Sequence, residues 1–254
     1  VTGVQTCALP ISAFHDQPIL AIDRVRYVGE PVAVVLAADV HVAQNAAALI
    51  SAEYDEWPAV YGEVEAMTST AVVHEVLRPA GTFADLKYLK DKRDTNIALD
   101  FHLRRGDVNK AFAEADHVFE HTFTTQQVLH LPLEGFATIA EPGDASLTLH
   151  SSTQSPSFVR TEIARLFGWP DNKVRVKVPY LGGGFGAKVY VKSEALAAAC
   201  AMLARRPVKY ALTLEEQFYM ITKHATTLRI KSGVMEDGKI TARECEVWWN
   251  GGAY

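Results

Sequence analysis

The chain has 254 residues, with 25 basic and 30 acidic side chains and a formal net charge of −5. Its 48% hydrophobic and 22% charged residues are ordinary for a globular protein and exclude wholesale disorder. The mild negative charge gives no electrostatic reason to bind nucleic acid or an anionic membrane, and three cysteines are too few for a disulfide framework.

The two ends of the chain are unlike the rest. Residues 1–11 lack the basic start and continuous apolar stretch of a signal peptide, and they resemble peptides translated from sequencing-adapter DNA. We therefore expect 1–11 to be a non-native leader. With no initiator Met and an end inside a strand-and-turn pattern at 250–254, the chain is expected to be a fragment truncated at both ends. We expect a cytoplasmic protein whose true N-terminus, and with it any export signal, is missing.

The first part of the chain predicts a strand, a helix and a strand. Residues 32–36 form the short apolar run of a buried strand. Asp39 is a suitable cap for a following helix, and residues 53–61 read as a second strand that ends at a sheet edge, because Pro58 lies within it. Residues 65–95 carry little periodicity and are predicted to be a linker.

The second part, from residue 96, predicts short strands alternating with two helices. The predicted strands, which include two hairpins, are 137–141, 146–150, 174–178, 208–212, 228–234 and 239–249. One helix begins after the N-cap Ser155 and stops near Gly168. The other covers 193–204 and is expected to turn Leu196, Cys200 and Leu203 inward. The longest uncharged apolar run, 195–204, is far shorter than the roughly 20 residues that span a bilayer, so no membrane span is predicted.

A glycine-rich loop at 182–186 is the most informative stretch. Dense glycine costs backbone entropy, so it is expected where side chains would block a tight turn or a ligand that approaches the main chain. Exposed N–H groups in such a loop bind phosphate or other anionic oxygens. Phe185 lies among residues without side chains, and its ring is expected to wedge against a neighbour. The alternative is a strand-to-helix connection with no ligand.

Two nucleotide-binding patterns compete for this loop. The phosphate-loop pattern requires Gly-Lys-Ser/Thr, and Val189 after Lys188 excludes it. Gly182, Gly184 and Ala187 do satisfy the loose dinucleotide pattern, although Glu215, the nearest acidic candidate for the ribose, lies too far along the chain. A dinucleotide-binding, Rossmann-like oxidoreductase domain therefore stays open as an alternative.

The histidines predict no metal site. His117 and His121 have helical spacing, but the residues around them read as a strand. On a strand the two rings would lie roughly 13 Å apart, too far to share a metal ion. We assign no protein metal ligands.

An ordered series of segments resembles the molybdenum-cofactor-binding subunit of the xanthine dehydrogenase and aldehyde oxidase family. The segments are 24–35, 106–116, 130–134, 152–156, 182–188, 206–209 and 250–254. The resemblance implies an α+β chain, with a partial α/β hammerhead domain at 12–64, a linker at 65–95 and the N-terminal part of a mixed molybdopterin-binding domain at 96–254.

The resemblance also implies a cofactor and its contacts. The cofactor is a molybdenum-pterin (molybdopterin, with the cytosine dinucleotide as one of its forms), in which the pterin rather than the protein holds the metal. By their match to the family's motif, Gln154 and Phe185 are catalytic, and Gln154 directs its amide at a ligand of the metal. The cofactor-binding residues are Gln154, Gly183, Gly184, Phe185 and Gly186. Val189 and Glu134 are assigned to the substrate pocket, with Glu134 the weaker assignment.

The implied activity is oxidative hydroxylation of a small molecule, an aldehyde or an aromatic or heterocyclic compound, with water as the oxygen source. The family's catalytic Glu has no match here, so the fragment alone is expected to be inactive. Iron–sulfur and FAD centres are expected on partner subunits, within a hetero-oligomer.

The sequence departs from the family's pattern at three positions, of which Val189 and Lys223 bear on substrate specificity and Gly135 bears on the geometry of its loop. Val189 and Lys223 stand where purine-hydroxylating members carry Glu and Arg, and Gly135 stands where Pro is frequent. Purines are therefore expected to be poor substrates, because an apolar side chain leaves a polar ring edge without hydrogen bonds. A non-catalytic hammerhead-type binding module is the third open alternative.

Overall fold

The N-terminal part of the chain forms only short elements in the computed structural model, which describes residues 8–9, 17–77 and 90–253. These elements are strands β1 (Ala8–Leu9) and β2 (Gln17–Pro18), helices α1 (Val40–Ala47) and α2 (Glu63–Ala66), and strands β3 (Val76–Leu77) and β4 (Lys92–Arg93). As predicted, Asp39 caps α1, and its carboxylate accepts from the N–H groups of His41 and Val42. Most of the expected leader and residues 78–89 of the expected linker lie outside the described residues.

The strands predicted at 32–36 and 53–61 are wrong. Both segments are free of assigned secondary structure, and no described strand pairs with either of them. Val32, Val34 and Leu36 are 42%, 39% and 46% exposed. An apolar run becomes a strand only where a neighbour completes its hydrogen-bond ladder, and no described segment does so here.

The rest of the chain alternates helices and longer strands. In order these are α3 (Val108–Ala113), β5 (His117–Thr125), β6 (Ala137–Gly143), β7 (Ser146–Ser151), α4 (Pro156–Leu166), β8 (Val174–Lys177), α5 (Ser193–Ala204), β9 (Val208–Ala211), α6 (Leu214–Met220), β10 (Thr226–Val234) and β11 (Ile240–Trp249). The predicted α+β class is confirmed, and both predicted hairpins form.

A four-stranded mixed sheet, in the order β8-β7-β6-β9, carries the main core. Only β7 and β8 are parallel neighbours; β6 pairs antiparallel with β7 and with β9. Helix α5 lies against β6 and β9, and α4 lies against β8. The fully buried core residues include Ala140, Leu147, Leu149, Val159, Ile163, Val174, Ala195, Ala198 and Ala201.

The two helices of the main core, α4 and α5, agree with the sequence-based prediction except at two residues. Pro156 opens α4 and Gly168, at φ +66°, follows its end as predicted, but the Ser155 side chain makes no capping hydrogen bond. In α5 the inward positions of Leu196 and Cys200 are confirmed, whereas Leu203 is 53% exposed. Buried residues lie on several sides of α5, and they include four alanines. A prediction based on the spacing of the larger apolar residues therefore did not identify which side chains of α5 are buried.

A second sheet, in the order β11-β10-β5, is entirely antiparallel. Gly238 supplies the positive φ of +85° that the turn between β10 and β11 requires. Helix α3 packs on this sheet, and a Cβ on Gly233 would lie 3.0 Å from the Cβ of Ala115. Within the described ranges, no helix has the length and apolar character needed to cross a membrane.

Candidate functional site

The glycine loop, residues 182–186, lies on the path from β8 to α5. Its main chain reaches positive φ at Gly183 (+96°), Phe185 (+51°) and Gly186 (+93°). For the non-glycine Phe185 this left-handed conformation costs about 1–2 kcal/mol. Such a cost is retained only where surrounding contacts determine the loop's shape.

Gln154 supplies one set of those contacts. Its side-chain Oε1 accepts from the N–H groups of Gly186 at 3.0 Å and Lys188 at 3.2 Å. Its own N–H donates to the Lys188 carbonyl at 2.9 Å. A Cβ on Gly184 would lie 2.3 Å from the Gln154 Cδ, so any larger residue at this position would displace the end of the Gln154 side chain. The structure therefore brings Gln154 against the loop at Gly184 and Gly186.

The outer end of the Gln154 side chain remains available. Both groups that meet its oxygen are N–H donors, so the amide orientation follows from the hydrogen-bond network. Gln154 is exposed, and within the described part of the chain nothing accepts a hydrogen bond from its Nε2. The amide therefore presents a hydrogen-bond donor beside the loop.

Glu134 holds the start of the loop. Its Oε2 accepts from the Gly182 N–H at 2.9 Å, and its own N–H donates to the Gly182 carbonyl at 3.1 Å. A Cβ on Gly182 would lie 2.6 Å from the Glu134 Cβ. Desolvation raises the pKa of Glu134, but the hydrogen bonds from Lys188 and Gly182 and the Lys188 charge outweigh it and lower the pKa overall. The carboxylate is thus kept ionised.

Lys188 is the residue that sequence reasoning missed. Its side chain is only 1% exposed, and its Nζ donates to Glu134 Oε2 at 2.8 Å and to the Glu134 carbonyl at 2.7 Å. In the sequence, Lys188 belongs to the 182–188 segment that carries the family resemblance, but no structural or chemical role is predicted for it. A charged residue two positions after the last glycine of the loop is the available signal, but its partner Glu134 is too distant in the chain to be predicted from spacing.

The Phe185 ring, which is expected to wedge against a neighbour, lies beside Gly183 with most of its surface in solvent. It is 70% exposed, and a Cβ on Gly183 would lie 3.3 Å from its Cε2 and 3.5 Å from the Cβ of Pro132. Leu131, directly before Pro132, also has positive φ, at +47°. Two strained residues therefore flank the contact between the glycine loop and the segment that carries Glu134.

The remaining predicted residues lie around this centre. Val189 is half-buried, and its N–H donates to the Gly186 carbonyl at 3.4 Å. Lys223 donates from its Nζ to the Thr125 hydroxyl at 2.9 Å, and its main chain pairs with Val128. A Cβ on Gly135 would lie 3.0 Å from the Gln217 Nε2, so this position is crowded on the side of α6.

His130, on the segment that leads to Glu134, is a further polar group near the site that sequence reasoning gave no chemical role. Its Nδ1 is buried and has no hydrogen-bond partner among the described residues. Burial lowers the pKa of His130, and the charge of His224 lowers it further. The ring is therefore kept neutral near pH 7.

The sheet order argues against the dinucleotide-binding alternative. A Rossmann-type site requires the strand after the glycine loop and helix to lie beside the strand before the loop, so that its acidic residue reaches the ribose. Here β8 and β9 lie at opposite edges of the sheet, separated by β7 and β6. Three strand spacings are about 14 Å, so an acidic residue after β9 does not reach the loop.

Comparisons with known proteins agree on one family. Residues 89–254 match the molybdopterin cofactor-binding domain, and residues 2–58 match the aldehyde oxidase and xanthine dehydrogenase a/b hammerhead domain. The nicotinate dehydrogenase large molybdopterin subunit of Eubacterium barkeri is 31% identical over 242 residues, covering 94% of this chain and 53% of the relative. The xanthine dehydrogenase of Emericella nidulans is 31% identical over 243 residues, with 93% of this chain and 16% of the relative covered.

A solved structure gives the same result. The quinoline 2-oxidoreductase of Pseudomonas putida 86 superposes with a TM-score of 0.79 at 29% identity, covering 96% of this chain and 30% of that one. The chain thus spans about half, or less, of the length of these relatives. The agreement of sequence and fold excludes chance similarity of single motifs.

Proposed function

The chain belongs to the xanthine dehydrogenase and aldehyde oxidase family of molybdopterin-binding proteins, and we propose that it serves in a molybdenum hydroxylase, where its glycine loop receives the cofactor. The observation that carries this proposal is the junction of Gln154 with Gly184 and Gly186, a glycine surface with a hydrogen-bond donor at its edge.

The described residues fit such a cofactor. A large flat group needs main chain that it can approach without meeting a Cβ, and Gly186 provides it, whereas the corresponding sides of Gly183 and Gly184 face Phe185 and Gln154. No described atom lies within 4 Å of the point where a Gly186 Cβ would be, so that side of the loop is open. The amide donor of Gln154 lies next to it and suits an oxygen acceptor on the cofactor.

Each assigned residue has a physical task. Gln154 orients the cofactor through its Nε2 donor, while its Oε1 keeps the loop in place. Gly183, Gly184 and Gly186 line the cofactor with main chain, and the exposed Phe185 ring excludes water from the adjacent side of the reacting centre. When bound, the molybdenum-pterin supplies a two-electron oxidation in which water provides the oxygen of the product.

The substrate is an aldehyde or an aromatic or heterocyclic compound. Val189 and Glu134 are proposed to line its pocket, and the apolar Val189 disfavours purines because their polar ring edge would lose hydrogen bonds to water without replacement. Within the described residues we assign no general base, and we propose that a Glu outside this chain fulfils that role. This chain alone is then inactive.

The domain organisation and assembly complete the proposal. We propose four segments along the chain: a non-native leader at 1–11, a partial hammerhead domain at 12–64, a linker at 65–95 and the N-terminal part of a molybdopterin-binding domain at 96–254. Iron–sulfur and FAD subunits would accept the electrons in a hetero-oligomer, in keeping with relatives that are themselves named as subunits. The nucleotide form of the pterin, with the cytosine dinucleotide as one option, and a cytoplasmic location belong to the same proposal.

The test is metal and pterin analysis of the complete polypeptide purified with its partner subunits. We expect molybdenum and oxidised-pterin fluorescence in stoichiometric amounts, and faster turnover of benzaldehyde than of xanthine. A folded protein without molybdenum and pterin would instead favour a non-catalytic binding module, and bound nicotinamide would favour the dinucleotide domain. Faster turnover of xanthine would overturn only the substrate assignment.

A further inference from the structure

We propose that Lys188 and Glu134 form a positioning pair that sets the shape of the glycine loop for the cofactor, with Lys188 joining the two segments that bracket the loop. This inference rests on the proposed function, because the loop's task is to receive the cofactor. Neither residue is a catalytic group in this role. Both act through Gly182, Gly186 and Gln154.

The first support is the burial of the lysine. The Lys188 side chain is 1% exposed, and a buried ammonium group is retained only when it is paired and hydrogen-bonded. Its Nζ meets both the carboxylate and the main-chain carbonyl of Glu134, and it lies 5.8 Å from the centre of the Phe136 ring. A cation so enclosed does not reach a substrate. Its effect is exerted on the segment around Glu134.

The second support is that the same residue holds the opposite side of the loop. The Lys188 N–H donates to Gln154 Oε1, and the Lys188 carbonyl accepts from the Gln154 N–H and from the Thr153 hydroxyl. The side chain therefore fixes the segment of Glu134, and the main chain fixes the segment of Gln154. Displacing Lys188 moves both.

The third support is how the pair reaches the loop itself. Glu134 Oε2 accepts from Lys188 and from the Gly182 N–H at once, so the charge that orients the carboxylate also orients the first glycine of the loop. Gly186, at the other end, shares Gln154 Oε1 with the Lys188 N–H. Between these two fixed ends lies the strained Phe185, whose left-handed conformation needs such support.

The experiment compares Lys188→Met, Glu134→Gln and Lys188→Arg in the full-length holoenzyme. Lys188→Met should lower the molybdenum and pterin content about tenfold, as loss of an orienting contact behind a metal centre does. Glu134→Gln keeps an acceptor for Gly182 and should lose less, and Lys188→Arg, which keeps the charge, should restore part of the loss. The matched control is Lys110→Met, which breaks the exposed Lys110–Glu114 ion pair on α3 and should retain full cofactor content.

A second measurement does not require the cofactor. Hydrogen–deuterium exchange of the peptide that covers the glycine loop should accelerate about tenfold in Lys188→Met stripped of cofactor, because the Glu134 carboxylate that accepts from the Gly182 N–H is no longer held in place. Exchange in β6 and β7 should stay at the wild-type rate. If Lys188→Met does not fold, Glu134→Gln provides the same comparison.

The outcomes separate the inference from the proposed function. A Lys188→Met protein with wild-type cofactor content and wild-type loop exchange overturns the positioning role. A variant that only melts earlier, with both readouts unchanged, overturns it as well, because it shows a purely structural ion pair. A wild-type protein that carries no molybdenum and no pterin overturns the proposed function, and loop exchange then decides whether the pair still sets the shape of the loop.

Discussion

The mixed sheet and the N-terminal region use the same apolar residue types with opposite results. In the sheet, Leu147 and Leu149 are 1% and 0% exposed beneath α4 and α5. In the N-terminal region, Val34 and Leu36 are 39% and 46% exposed, with no described strand beside them. The difference shows that an apolar run indicates residues that are stabilised by burial. Whether the run forms a strand depends on a neighbouring strand that completes its hydrogen bonds.

The largest expected effect is in the sheet core. Leu149→Ala should lower the free energy of unfolding by about 2–5 kcal/mol, since it leaves a cavity among fully buried side chains. Leu49→Ala, at a position that is 86% exposed, should change it by no more than ~0.5 kcal/mol. Urea unfolding of both variants measures the contrast. If the two variants lost equal free energy of unfolding, the sheet core and the N-terminal region would not differ in packing.

The next effect concerns the glycine loop. Gly184→Ala places a Cβ 2.3 Å from the Gln154 Cδ, and relief of that clash should cost about 1–3 kcal/mol and displace Gln154. We expect reduced molybdenum and pterin content together with a lower melting temperature. Gly251→Ala, where no described atom lies within 4 Å of the added Cβ, is the control and should change neither. Unaltered molybdenum and pterin content in Gly184→Ala would contradict the close contact between Gly184 and the Gln154 side chain.

A pH effect reports on the contact between the two regions. Lys192 Nζ donates to the Met220 carbonyl at 2.6 Å and lies 5.9 Å from the Tyr27 ring. Burial lowers the pKa of Lys192 to about 8, although the charge of Glu30 opposes the shift. Between this value and the usual 10.5, the unfolded chain binds more protons, so the free energy of unfolding should rise with pH in that window.

Lys192→Met should remove that rise, and denaturant unfolding across the window measures it. Lys209→Met, which removes an exposed lysine of β9, should keep the wild-type slope. A wild-type curve that falls from about pH 8 upward would reverse the sign and contradict the buried, readily deprotonated lysine.

The smallest effect is predicted for the N-terminal region itself. Val34→Ser should change the stability of this chain by no more than ~0.5 kcal/mol, because the side chain is already partly in water. A larger loss would mean that the Val34 side chain is packed against neighbours, and the contrast between the two regions would not hold.

Much of the fold could be predicted from local signals. The hairpin turn at Gly238, the cap at Asp39 and the stop at Gly168 are each fixed by residues within a few positions, and all three form. The inward position predicted for Leu203 is wrong, because α5 is rich in alanine and buries small residues. The spacing of its larger apolar residues does not show this. The pairing of Lys188 with Glu134 joins positions far apart in the chain, and no periodicity connects them.

The two hydrogen bonds to the Gln154 carboxamide oxygen restrict which residue could replace Gln154. Since two loop amides occupy its oxygen, a half-turn of the group would set NH₂ against N–H donors, which costs about 1–3 kcal/mol. Its polarity is thereby locked, with the acceptor inward and the donor outward. A glutamate here would satisfy the same two amides yet offer the opposite face, an anionic oxygen, to whatever approaches.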